Sequence, residues 1–215
     1  MAHALVRPRR YLFRMETRLE VLSQSVAAPP QFERSALRVP LPWVARVNAQ
    51  HFRDVLAERL AADATVRFAR MTWGSILAAP PDLAKLAAAQ DVVLPDGGLL
   101  EAFTPSDAIT GAQAEELLLR AAQRRALTIL CCGEGDDAVV NAMRVRRTLP
   151  RALVLGSLRM DGKTATTSGR AALVGRIASL EPGLLLCTAR TPFGLRALRD
   201  VAESGRYRHA VFRVH

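Results

Sequence analysis

Leu127-Thr128-Ile129-Leu130-Cys131-Cys132 runs directly into Gly133-Glu134-Gly135-Asp136-Asp137-Ala138. The first six residues are apolar but for one threonine, and they do not alternate. Such a run predicts a strand covered on both faces. The glycines predict a tight turn, and residues 136–147 then show helical spacing. The same strand–turn–helix unit recurs in both directions from this stretch. Towards the C-terminus, strands are predicted at 152–155, 184–188 and 210–214, with helices at 170–180 and 193–204. Towards the N-terminus, a helix is predicted at 112–124 and short strands at 92–94 and 66–71. Residues 75–89 are predicted as two helical pieces broken at Pro80-Pro81. A helix at 51–62 carries Phe52, Val55, Leu56 and Leu60 on one face, and residues 43–47 are predicted as the first strand.

Short apolar strands alternating with longer helices predict an α/β fold. The expected architecture is a Rossmann-like, doubly wound, mostly parallel sheet with helices on both faces. In such a sheet ligands bind beyond the carboxyl ends of the strands. The expected division is a basic N-terminal arm, residues 1–43, and one domain, residues 44–215. The arm holds Arg7, Arg9, Arg10, Arg14 and Arg18 and lacks the apolar core of a secretory signal.

The chain has 215 residues, of which 50% are hydrophobic, enough for one substantial core. No apolar run approaches the roughly 20 residues needed to cross a bilayer. The net charge is +10, but every basic residue except Lys85 and Lys163 is arginine, and the arginines are spread along the chain. That distribution argues against dedicated nucleic-acid binding, which gathers charge on one face. An anionic small molecule or lipid surface fits the charge as well. Cys131, Cys132 and Cys187 each lie in a strand-like run and are expected to be buried free thiols. His3, His51, His209 and His215 show no metal-ligand spacing, so no metal is expected, and no cofactor.

Four loops at predicted strand ends carry the candidate chemistry. In Leu94-Pro95-Asp96-Gly97-Gly98, Asp96 has the character of a general base and the glycines admit close approach by a ligand. Asp-Gly is equally a favoured turn pair. Gly133, Gly135 and Ala138 fit a G-x-G-x-x-A phosphate turn, although Glu134, Asp136 and Asp137 stand beside it. Asp136 is alternatively a helix cap. In Thr188-Ala189-Arg190-Thr191-Pro192, Arg190 is suited to a phosphate or simply to solvent. In Thr72-Trp73-Gly74-Ser75, Thr72 and Ser75 are potential donors to a ligand. Ser75 is equally a good cap, and Trp73 is suited to stacking or to the core.

Taken in order, these segments resemble the WecG/TagA/CpsF family of glycosyltransferases (glycosyltransferase family twenty-six). AQDVVLPDGG at 89–98 is similar to that family's "adlvlpDG" segment, and LPRALVLG at 149–156 to its "yPglkivG" segment. Ile109-Thr110-Gly111 stands at the intervening glycine turn, residues 127–135 at the glycine-rich loop, and EPGLLLCTARTP at 181–192 keeps the family's proline and apolar strand. The resemblance covers residues 44–215. It implies inverting transfer of a sugar from a UDP-sugar to a lipid-diphosphate-linked acceptor, in bacterial surface polysaccharide synthesis at the cytoplasmic membrane face. It implies catalytic roles for Asp96 and Thr72. Substrate contacts fall on Gly97, Gly98, Gly111, Gly133, Gly135, Arg190 and Pro192.

The chain also departs from the family pattern. Gly74 stands where the family has asparagine, Gln113 where it has aspartate, and Phe193, Gly194 and Leu195 where it has Lys-Gln-Glu. Family members continue past the position of His215 into a tail associated with membrane attachment, and a divergent member without that tail is expected here. The arginines of the arm are a candidate replacement for that membrane contact. Two other expectations therefore stand beside the first: a relative that binds or regulates without catalysing, and an NAD(P)-binding protein using Gly133 and Gly135.

Overall fold

The computed structural model describes residues 31, 35–36, 45–72, 74–75, 81–97 and 107–215. Most of the expected basic arm, together with Trp73 and Gly98, lies outside the described residues.

The principal elements are α1 (Ala49–Ala61), β3 (Val66–Met71), α2 (Pro81–Ala88), β4 (Val92–Pro95), α3 (Gly111–Arg124), β5 (Thr128–Glu134), α4 (Asp137–Thr148), β6 (Leu153–Met160), α5 (Thr167–Leu180), β7 (Leu184–Ala189), α6 (Pro192–Ser204) and β8 (His209–Val214). Before them, β1 (Ser35–Ala36) pairs antiparallel with β2 (Ala45–Arg46). The main sheet has six strands in the order β4-β3-β8-β7-β5-β6, and every neighbouring pair is parallel. The expected doubly wound α/β fold is the observed one.

The non-alternating runs behave as their chemistry demands. β4, β7 and β8 are buried at every residue, because side chains from both faces meet helices. One core layer packs Leu83 and Leu86 of α2, Leu173 and Ile177 of α5, and Leu195 and Leu198 of α6 against the sheet. The opposite layer packs Phe52 and Leu56 of α1, Leu118 of α3 and Val145 of α4. Crossovers that step one way along the sheet use α2, α5 and α6, whereas the two that step the other way use α3 and α4. That segregation is what a single crossover handedness produces.

Two expectations are corrected. Of the strand expected at 43–47, the described residues 45–47 do not join the main sheet. Among the described residues β2 pairs with β1, and Val47 follows it with its carbonyl accepting the Ile109 amide at 2.8 Å. Ala45 and Val47 are nonetheless buried in the α1 layer, so the apolar run reflects burial as a strap over that face. The strand at 152–155 does not stop at Gly156. β6 continues to Met160 through a register shift opposite Ile129 and Leu130, with Gly156 at φ +155°. An edge strand exposes alternate residues, and the polar Ser157 and Arg159 disguise its second half.

Candidate active site at the carboxyl ends of the strands

Strand register decides which loops meet. Met71 pairs with both Pro95 and Val214, and Val214 pairs with Ala189. One residue further on, Asp96, Thr72, His215 and Arg190 stand just past the ends of β4, β3, β8 and β7. Backbone bonds extend the ladder through this row. Asp96 N donates to Met71 O at 2.9 Å, Thr72 N to Val214 O at 3.3 Å, and His215 N to Ala189 O at 3.1 Å. Sequence reading brings forward Asp96, Thr72 and Arg190. It misses His215, whose only signal is its place just after the last apolar run.

Asp96 is 8% exposed. Both of its carboxylate oxygens accept from Nη2 of Arg70, at 2.9 and 2.8 Å. Arg70 itself pairs with Glu115, whose carboxylate is also shared by Arg213 and Arg144. Arg213 Nη1 donates to Asn141 Oδ1 at 2.5 Å, and Asn141 Nδ2 donates to Thr188 Oγ1 at 3.1 Å. A buried polar chain thus runs beneath the row from β4 to β7. Burial pushes the Glu115 carboxyl up, but Arg213, Arg70 and Arg144 together outweigh it and hold the group at about 2. Desolvation at the rim and the guanidiniums of Arg190, Arg213 and Arg70 hold the His215 imidazole below the usual histidine range, against the opposing pull of Asp96.

The other predicted residues separate. Thr72 Oγ1 receives the Ser75 amide at 3.4 Å, and Ser75 Oγ donates to Thr72 O at 2.8 Å. Thr72 rather than Ser75 therefore caps this helical turn. Gly97, at φ +89°, is exposed just past Asp96. Gly111 does not join the row. It opens α3, and a Cβ there would come within 2.7 Å of Arg70 Cγ, so its smallness lets Arg70 pass. Gln113 completes a capping box with Thr110.

The glycine turn after β5 is committed to internal contacts. Gly133 lets the α4 backbone approach, since a Cβ would lie 2.9 Å from Ala138 N, and Gly135 adopts φ +52°. The three neighbouring carboxylates each have a partner. Glu134 Oε1 accepts from Thr191 N at 3.2 Å and Thr191 Oγ1 at 2.9 Å, at the N-terminus of α6. Asp136 makes no side-chain cap and pairs with Arg159 instead. Asp137 accepts from Arg190 Nη2 at 2.9 Å. Pro192 occupies the first turn of α6 and is exposed. A dinucleotide pyrophosphate here would meet carboxylates where it needs free N–H donors.

Cys131, Cys132 and Cys187 are all buried and free, and burial pushes the Cys131 thiol up to about 12. Among the described residues no group of three metal-ligating side chains is close enough to hold an ion, and no helix is long and apolar enough to cross a membrane. In comparisons with known proteins, no family model matches the chain, and no curated protein matches it.

Proposed function

We propose that this chain is an inverting glycosyltransferase that moves a sugar from a UDP-sugar to a hydroxyl of a lipid-diphosphate-linked acceptor, acting peripherally at the cytoplasmic face of a bacterial membrane. The observation that carries the reading is Asp96, a nearly buried carboxylate anchored by Arg70 in the strand-end row that also holds Thr72, His215 and Arg190. The resemblance of residues 89–98 and 149–156 to the WecG/TagA/CpsF segments supports it as well.

The chemistry follows from that row. Each Asp96 oxygen accepts one bond from Arg70 and keeps a lone pair for an acceptor hydroxyl. Asp96 takes the hydroxyl proton as the acceptor oxygen bonds to the anomeric carbon and the bond from that carbon to the UDP oxygen breaks. UDP leaves with the electron pair, and Arg190 is the cation that stabilises it. Three interstrand spacings separate β4 from β7, roughly 14 Å. That span suits an in-line displacement with the base at one end and the leaving group at the other.

Asp96→Asn tests the proposal. The expected result is a loss of transfer of about 10²–10⁴-fold, measured as UDP release, with UDP-sugar binding retained in calorimetry. Undiminished turnover in the variant would falsify the assignment. A second reading, a relative that binds without catalysing, is favoured by two contacts: Glu134 fills the α6 N-terminus and Asp137 pairs with Arg190. A folded protein that binds neither UDP nor any UDP-sugar removes the transfer reading and favours this one.

A further inference from the structure

A groove of about 770 Å³ lies between α3 and α4, on the flank of the sheet rather than at the strand-end row. Its size is that of a small-molecule site. Arg120, Arg124 and Arg144 line it, with Leu119 and Leu149 as apolar wall. Two acids also line it. Glu115 is buried and already shared by three guanidiniums, and Glu116 forms an exposed pair with Arg120.

Two buried polar atoms of the lining have no hydrogen-bond partner: Arg144 Nε, a donor, and Gln123 Oε1, an acceptor. Unsatisfied buried polar groups are costly, so two of them on residues lining one groove call for an explanation. Their opposite senses restrict the chemistry of an occupant. Arg144 Nε needs an acceptor, and the surrounding guanidiniums favour an anionic one. Gln123 Oε1 needs a hydroxyl or amine donor.

We infer that the α3–α4 groove is a second ligand site, for a phosphorylated polyol of the hexose-phosphate class. The phosphate pairs with Arg144, Arg124 and Arg120, a sugar hydroxyl donates to Gln123 Oε1, and the ring lies against Leu119 and Leu149. The site does not depend on the transfer reading, because none of these residues belongs to the strand-end row. It is connected to that row, however. Arg144 shares Glu115 with Arg70, and Arg70 holds Asp96. A phosphate that draws on Arg144 leaves more of the Glu115 charge to Arg70 and Arg213, so occupancy of the groove acts on the anchoring of Asp96.

The test is calorimetric titration of the full chain with glucose 6-phosphate, glucose and inorganic phosphate. Saturable binding is expected for glucose 6-phosphate and weaker binding for the other two. Arg124→Ala and Gln123→Leu, which leave the Glu115 cluster intact, are each expected to weaken it by about tenfold, with the melting temperature of the free protein unchanged in the first and not lowered in the second. Arg190→Ala, on the strand-end row, is expected to leave it unaltered. The inference is overturned by no binding to the wild type, by inorganic phosphate binding as tightly as the sugar phosphate, or by a loss in Arg190→Ala without one in Arg124→Ala. None of these outcomes bears on the Asp96→Asn result, so the two readings fail separately.

Discussion

At the scale of single residues, the most constrained group is Glu115. It is 1% exposed and is the shared counter-ion of Arg70, Arg144 and Arg213. Replacing it by glutamine leaves Arg213 and Arg70 buried with too little negative charge around them. Loss of one partner from a buried pair costs roughly 3–5 kcal/mol, and urea denaturation of Glu115→Gln is expected to show a loss of that size. Loss of under about 1 kcal/mol would mean that the cluster behaves like a surface pair. None of this is legible in the sequence, because Glu115 and Glu116 are adjacent acids on one helix. The pairing that sequence spacing reveals is the exposed one, Glu116 with Arg120 four residues on. The pairing that matters joins Glu115 to Arg213 across 98 positions and exists only once β8 inserts between β3 and β7. The place of Asp96 at a strand end was readable because Asp-Gly is a favoured turn pair and here follows an apolar run. Arg70, which holds it, looked like one more arginine among many.

At the scale of elements, the joints between helices and strand ends carry information that local patterns lack. Gly194 lies in the first turn of α6. A Cβ at this position would stand 1.4 Å from Glu134 Oε1, so the glycine exists to seat that carboxylate against the helix N-terminus. Gly194→Ala is therefore expected to expel Glu134 from its bonds with Thr191 and to lower stability by about 1–3 kcal/mol. In a Glu134→Ala background the obstacle is gone, and alanine is the better helix former by up to about 1 kcal/mol. The same substitution is then expected to be neutral or stabilising. A double-mutant cycle measured by thermal melting reads this reversal of sign, and additive effects would show that the two residues do not compete for one space. The strands β3, β4, β7 and β8 were readable to within a residue or two, since burial on both faces keeps them largely apolar, interrupted by Arg67 and Arg70 in β3 and Arg213 in β8. β6 was readable only in its first half. An edge strand answers to solvent on one side, and its bulge at Gly156 looks like a strand end when neighbours are unknown.

At the scale of the whole molecule, titrating groups at opposite ends of the sheet set a stability window. His209 begins β8, is 2% exposed, and accepts the Val66 amide at Nδ1 at 3.1 Å. Burial, aided by Arg208 and Arg125, lowers this imidazole from an ordinary 6.5 to about 4. A depressed value means that the neutral form is the one folding favours. Its contribution is complete above pH 6.5 and is lost as the pH falls to 4, a loss on the order of 3 kcal/mol. Glu115 adds a second acid limb of similar size below it, between 4.5 and about 2. On the alkaline side the sign reverses. Cys131 is raised from 9.0 to about 12 and Tyr207 from 10.0 to about 12, so both favour the fold while protonated and cease to do so as the pH rises through that range. Maximum stability is therefore expected between about pH 6.5 and 9. His209→Gln separates the limbs, because a glutamine oxygen can accept the Val66 amide without titrating. Urea midpoints measured from pH 7 to pH 4 are expected to fall in the wild type and to fall by clearly less in the variant, where His215 is the remaining depressed histidine. Parallel decline in both proteins would remove His209 from the upper acid limb and leave it to His215 and the carboxylates.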